Sequence, residues 1–192
     1  VTERWIVEEW LAVGHTHHTA FDGSSIWVVN NGSNNVTKLR ASDGGGAVNY
    51  TVGSYPWGIC FDGTNIWVAN YSDDTVTRIT VSNGSTVSYA VGDGPVDVAT
   101  DGVNVWVENY TSGTVTVLKA SDGSLVGTYT VGTHPFGICF DGANFWVLNQ
   151  GGNNVMKLSA LSGYVVGTYA VGSGGQGVAF DGANVWVTNE SD

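Results

Sequence analysis

Along the chain, short runs of alternating apolar and polar residues are broken at close intervals by Gly, Asn, Asp and Ser. Val76-Thr77-Arg78-Ile79 alternates as a half-buried strand does. Gly58-Ile59-Cys60-Phe61 and Ile66-Trp67-Val68-Ala69 are apolar runs suited to buried strands, and Val87 to Val91 supplies a fourth run. Between them Asp62-Gly63 marks a turn, an Asn-rich loop follows, and Asn83-Gly84 is a pair favoured in tight hairpins. No stretch carries helical periodicity.

This four-strand unit recurs. Trp27, Trp67, Trp106, Trp146 and Trp186 are separated by 40, 39, 40 and 40 positions. Each follows an Asp-Gly pair that starts at Asp22, Asp62, Asp101, Asp141 or Asp181, and each precedes an Asn by three residues (Asn30, Asn70, Asn109, Asn149, Asn189). A fixed period of this length is the mark of a repeat architecture in which single units cannot bury their own faces and must stack. Four short strands per period predict the blade of a β-propeller, with strands A to D running outward from the axis.

The expected fold is therefore all-β, a single domain over residues 1–192 with five four-stranded blades. The blades fall at about 17–52, 57–91, 96–131, 136–171, and 177–192 together with 1–13. The last is split: the chain stops after strands A and B of a fifth copy. Val1-Thr2-Glu3-Arg4 matches strand C and Leu11-Ala12-Val13-Gly14 matches strand D. Pairing these N-terminal strands with the C-terminal pair would close the ring and remove exposed edges. The same complementarity between subunits would build a head-to-tail filament.

Charge narrows the partners. Six Lys and Arg stand against seventeen Asp and Glu, a net charge of −11, which repels phosphate backbones and anionic lipid. Nucleic acid is excluded on this ground, and no apolar run is long enough to span a bilayer as a helix. Charged residues are nonetheless few while Gly, Ser, Thr and Asn abound, which suits an extracellular surface. The chain opens at Val1 rather than Met, as it would after removal of a leader or as an excerpt of a longer protein. Cys60 and Cys139 fall at equivalent positions where other copies carry Ala20, Ala99 and Ala179, so both are expected as small apolar core residues rather than a disulfide.

The units Pro56 to Asn70 and Pro135 to Asn149 resemble the repeats of NHL and YVTN-type propellers, including the virginiamycin B lyase-like ones. The resemblance covers essentially the whole chain. It implies the propeller architecture, usually with six or seven blades, so five is a departure. It also implies a His and Glu constellation around magnesium on the face of the D-to-A loops. The corresponding position near the end of strand B carries Val29, Ala69, Glu108, Leu148 and Thr188, so Glu108 alone matches.

Chemistry is expected where otherwise similar copies differ, on the face shared by the D-to-A and B-to-C loops. His15, His17, His18 and His134 are the weak candidates for a metal or acid-base group, but no recognisable ligand spacing supports them, and neither a metal nor a cofactor is expected. Tyr55, Trp57, His134 and Phe136 are the candidate ligand-binding residues, since aromatic planes contact sugars or peptides in shallow sites. The repeated Trp residues read as core, and the aligned Asn residues as caps of the B-to-C loop.

Asn-x-Ser/Thr sequons occur at Asn31, Asn35, Asn49, Asn70, Asn83, Asn109 and Asn189, against roughly three expected by chance from composition. Asn31, Asn35 and Asn83 are expected to be the most open. The sequence thus favours a non-enzymatic, glycosylated, secreted or surface-displayed propeller that adheres or self-associates, with surface proteins or glycans as partners. A lectin-like or peptide-binding module and a metal-dependent lyase or hydrolase are the alternatives.

Overall fold

The computed structural model describes residues 16–191, so the strands expected within residues 1–13 and His15 lie outside the described residues. The chain is all-β. Its first sheet holds β1 (Thr16–Phe21), β2 (Ser25–Asn30), β3 (Asn35–Arg40) and β4 (Val48–Thr51). The second holds β5 (Pro56–Phe61), β6 (Asn65–Asn70), β7 (Thr75–Thr80) and β8 (Thr86–Ala90). Then come β9 (Pro95–Thr100), β10 (Asn104–Asn109), β11 (Thr114–Lys119) and β12 (Leu125–Thr130). β13 (Pro135–Phe140), β14 (Asn144–Asn149), β15 (Asn154–Ser159) and β16 (Val165–Ala170) form the fourth sheet, and β17 (Gly175–Phe180) pairs with β18 (Val185–Asn189).

Every sheet is antiparallel in simple chain order, a meander, as two-residue Asp-Gly turns and short hairpins require. The first strands β1, β5, β9, β13 and β17 touch in series, so the sheets radiate from a common axis as propeller blades. Burial follows from that arrangement. In the inner sheets the second strand is covered on both faces by the neighbouring blades: all six residues of β6 are buried, and β10 and β14 are buried over most of their length, whereas β18 is largely exposed. The fourth strands at the rim are mostly exposed, with one or two half-buried residues each. Between adjacent blades the core clusters gather around Trp27, Trp67 and Trp106.

The repeated Asp and Trp form one device. The Asp141 Oδ1 accepts the backbone N–H groups of Ala143 (2.9 Å) and Asn144 (2.6 Å), closing the turn, while its Oδ2 accepts the Trp146 indole N–H at 2.7 Å. Asp22 with Trp27, Asp62 with Trp67 and Asp181 with Trp186 repeat it. A cation from the third strand lies over the indole: Lys38 Nζ is 4.9 Å from the Trp27 ring centroid, Lys157 Nζ 4.9 Å from Trp146, and Arg78 5.8 Å from Trp67. The third blade breaks the rule. Val117 stands opposite Trp106 where the first, second and fourth blades have a cation, the Trp106 indole N–H is buried without an acceptor, and its ring stacks on Phe145 at 4.3 Å.

The aligned Asn residues do more than cap a loop. Asn70 Nδ2 donates to Thr75 Oγ1 and Thr77 Oγ1 on β7, and its Oδ1 accepts from Gly53 N–H, which lies in the crossover from the previous blade. Asn149 likewise accepts from Gly132. Both cysteines are free, on β5 and β13. Burial pushes the Cys60 thiol well up and the Cys139 thiol to about 11, which disfavours the reactive thiolate at both. Among the described residues no helix is long and apolar enough to cross a membrane.

Candidate functional site

A first strand runs from the D-to-A crossover toward the Asp-Gly turn, so D-to-A and B-to-C loops open on one end of the axis. At that end the structure brings together all four residues singled out as ligand-binding candidates, and adds two. Trp57 meets Phe136 edge-on at 5.7 Å between ring centroids, across the intervening blade, where Val96 holds the equivalent position. Tyr55 lies 6.3 Å from Trp57, and Tyr71 lies 6.0 Å from Tyr55 and 6.4 Å from Trp57. On the other side Tyr110 meets Phe136 at 6.0 Å and stacks on His134 at 4.5 Å. The six rings form one continuous patch at the mouth of the axis.

Two of these rings are held against a backbone cost. Tyr55 and His134 have φ of 56° and 50°, in the left-handed region, where the equivalent residues Gly94 (65°) and Gly174 (67°) sit without penalty. A side chain kept in such a conformation points to a use for the ring rather than to backbone convenience. Tyr71 and Tyr110 escape a reading of the sequence because they follow the structural Asn inside sequons. The signal was the position itself, which reads Asn31, Tyr71, Tyr110, Gln150 and Glu190 from blade to blade.

Beneath Trp57 and Phe136 lies a cavity of about 130 Å³ whose wall includes His18, Asp97, Gln176 and the glycines 137 and 177. The third residues of the first strands are His18, Gly58, Asp97, Gly137 and Gly177, and all but Gly58 line it. Only two of these five have side chains that carry chemistry, and they face each other, His18 Nδ1 lying 3.9 Å from Asp97 Oδ1. Asp97 reaches over Gly58, which is so close that a Cβ there would lie 2.6 Å from the Asp97 Cα. Asp97 accepts from Val98 N–H (2.9 Å) and from Ile138 N–H (3.4 Å) of the next blade.

Glu108 stands directly opposite Asp97 in the β9–β10 pairing. It is fully buried, and neither carboxyl oxygen makes a hydrogen bond of ordinary geometry among the described residues. Burial pushes its pKa well up, the Asp97 carboxylate adds to that, and only the N–H of Gly137 opposes. Burial raises Asp97 too, against the pull of His18 and two backbone N–H groups.

The two described histidine side chains, His18 and His134, have different partners. His18 faces Asp97, His134 stacks on Tyr110, His15 lies outside the described residues, and of His17 only the strand backbone is described. Among the described residues no group of three or more His, Cys, Asp or Glu is gathered closely enough to hold a metal.

The sequons divide sharply. Asn31, expected to be open, is 4 % exposed with Nδ2 donating to Pro56 O, because its loop folds under the next blade. Asn70 and Asn109 are fully buried, with their amides committed to β7 and β11. Asn35 is half-buried, and Asn49, Asn83 and Asn189 are exposed.

No protein-family model matches the chain, and no curated protein matches it in sequence. Solved structures do match in fold. The hydrazine synthase of Kuenenia stuttgartiensis superposes with a TM-score of 0.81 at 22% identity, over 94% of this chain and 58% of that one. A catalytically inactive virginiamycin B lyase from Staphylococcus aureus with quinupristin gives a TM-score of 0.77 at 18% identity, over 91% and 63%. A functionally unknown protein from Desulfotomaculum acetoxidans gives 0.81 at 17%, over 93% and 64%. The chain thus spans about three fifths of the length of these structures, and the likeness establishes the β-propeller fold alone.

Proposed function

We propose that the chain is a binding module that takes a small ligand, or the end of a larger one, at the aromatic mouth of its axis. One observation carries this reading. Six rings, contributed by four segments of three blades, make an unbroken patch at the end where the copies differ, on a scaffold that is otherwise repeated. Aromatic residues at a concave opening provide large contact area at low conformational cost. Ligand-observed NMR with a panel of saccharides, indoles, amides and ammonium compounds tests it. At least one class binds the native protein and is lost in Trp57→Ala and Phe136→Ala; a panel in which nothing depends on either residue overturns the reading.

A second reading has its own observation. Asp97 and Glu108 are paired carboxyls with raised affinity for protons beside His18, an arrangement suited to general acid-base chemistry. An enzyme would lose turnover in Glu108→Gln while keeping its ligand, whereas a binding module shows no turnover to lose.

The ring itself we read as five-bladed, with residues 1–13 completing the blade begun by β17 and β18. The even spacing of the five Trp residues and the serial contact of β1, β5, β9, β13 and β17 support this. We place the molecule outside the cell, as a glycosylated, self-associating protein displaying this mouth, on the strength of its seven sequons and its low charge density. Sedimentation and intact mass of native material test that setting: a bare monomer overturns it.

A further inference from the structure

The mouth is not only aromatic. Of the Lys and Arg residues described, Lys38, Arg40, Arg78, Lys119 and Lys157, all lie on third strands. Lys38 and Lys157 are drawn to Asp22 and Asp141, Arg40 to Asp43, and Arg78 to the carbonyl of Ser121, all at the end opposite the mouth or along the blade flanks. Among the described side chains the mouth end instead holds Asp73, Asp74, Asp93, Asp97 and Glu190, with His18 and His134 as the basic ones. Two of the carboxylates are built into the loops that carry the rings: Asp73 Oδ2 accepts from Ser54 N–H beside Tyr55, and Asp74 Oδ1 accepts from Gly94 N–H beneath Tyr71.

Ring geometry points the same way. The centroids of Tyr55, Trp57 and Tyr71 form a nearly equilateral triangle, with sides of 6.3, 6.0 and 6.4 Å and interplanar angles of 39°, 59° and 37°. A flat sugar or peptide face stacks on one exposed plane, which mutually tilted rings do not offer. A compact cation seated over the triangle lies within ~6 Å of all three ring centroids at once. The surrounding carboxylates lower its energy further without having to touch it.

We infer that the mouth binds an organic cation, a quaternary or methylated ammonium group, seated on Tyr55, Trp57 and Tyr71. This rests on the reading of the mouth as the ligand site. It specifies the ligand chemistry: a soft, weakly hydrated cation satisfied by π-faces and diffuse negative charge.

The test uses choline chloride and its uncharged isostere 3,3-dimethylbutan-1-ol, followed by ring-proton shifts and calorimetry on the native chain. Choline binds, and the isostere binds at least roughly tenfold more weakly, since it keeps the shape and loses the charge. Tyr71→Leu, which preserves apolar bulk, weakens choline by a similar factor while the thermal midpoint moves little. Equal binding of the two probes, indifference of choline to Tyr71→Leu, or no binding at about 10 mM, where a millimolar Kd would be plain, overturns the inference. If choline fails while another compound depends on Trp57, the ligand chemistry falls and the binding site stands. If nothing in the panel depends on Trp57, both fall.

Discussion

Asp97 on β9 and Glu108 on β10 are cross-strand partners, two carboxyls on the same face of one strand pair. One lines the axial cavity with 21% of its side chain exposed, and the other is sealed behind it. Like charges directly opposite across a ladder are unfavourable, and in the other blades the Glu108 position holds Val29, Ala69, Leu148 or Thr188. The third blade therefore gives up stability at this point, and the sign of that loss is measurable.

Because both carboxyls have raised folded-state pKa values, the folded protein holds protons that the unfolded chain releases once pH passes the ordinary carboxylate range. Stability contributed by the protonated pair is complete below that range and is lost as pH rises toward the raised values. Glu108→Gln, which cannot ionise, should flatten this fall, raising the thermal midpoint near neutral pH by ~2–4 °C for each kcal/mol recovered. In acid it should match the native protein. Calorimetry across the pH range checks it; a native-like slope in the variant refutes it.

Equivalent glycines should respond unequally. At Gly58 a Cβ would meet backbone of the neighbouring blade, the Asp97 Cα at 2.6 Å and the Val96 carbonyl at 2.7 Å, whereas at Gly137 the nearest atom is 3.5 Å away. Gly58→Ala is expected to cost about 1–3 kcal/mol, and Gly137→Ala less than about 0.5 kcal/mol. Denaturant unfolding of the two variants decides it.

The Asp–Trp device predicts an acid limb. Burial raises Asp141, but the Trp146 indole and the N–H groups of Ala143 and Asn144 outweigh it and hold the carboxyl at about 2. Its contribution is present above the ordinary carboxylate pKa and is lost as pH falls toward that lowered value. Asp141→Ala should cost about 1–3 kcal/mol at neutral pH, in line with lost hydrogen bonds to a charged group. The deficit should shrink between about pH 4 and pH 2. Asp101→Ala should cost clearly less, because Trp106 makes no bond to it.

At position 55, backbone and ring can be separated. With φ at 56°, Tyr55→Gly should be more stable than Tyr55→Ala by about 1 kcal/mol. Paired melts of the two variants measure it, and equal stability would remove the argument that the ring is held against strain.

Glycan mapping has a clear expectation as well. The folded, glycosylated protein should carry sugar at Asn49 or Asn83 and none at Asn31, Asn70 or Asn109, whose amides are buried and bonded. Glycopeptide mass analysis of material passed through a secretory host reads this directly.

The blade was legible in the sequence because its turns are repeated chemistry: an Asp whose carboxylate closes the loop, a Gly with φ near 95°, and a Trp five residues after that Asp. The site was legible only in part. Tyr55, Trp57, His134 and Phe136 stood out because their loops vary, whereas Tyr71 and Tyr110 were hidden behind the structural Asn. Asp97 was hidden inside a strand pattern, where only its alignment with Gly58, Gly137 and Gly177 distinguishes it. The burial of Asn31 had no sequence signal at all, since it depends on how the loop after β2 folds beneath Pro56 of the next blade.

The five equivalent positions on the first strands behave as sockets on a hub, two of them filled. Gly58 cannot accept a side chain, but Gly137 and Gly177 can: their nearest neighbours lie at 3.5 and 3.4 Å, ordinary contact distance. A Cβ is thus accepted at 137 and 177 at ordinary contact distance, so these are the positions from which new side chains can reach the cavity. A gene made of duplicated blades acquires in this way a cavity whose chemistry is exchangeable while its frame stays constant, and the same two sockets are where a designer would begin.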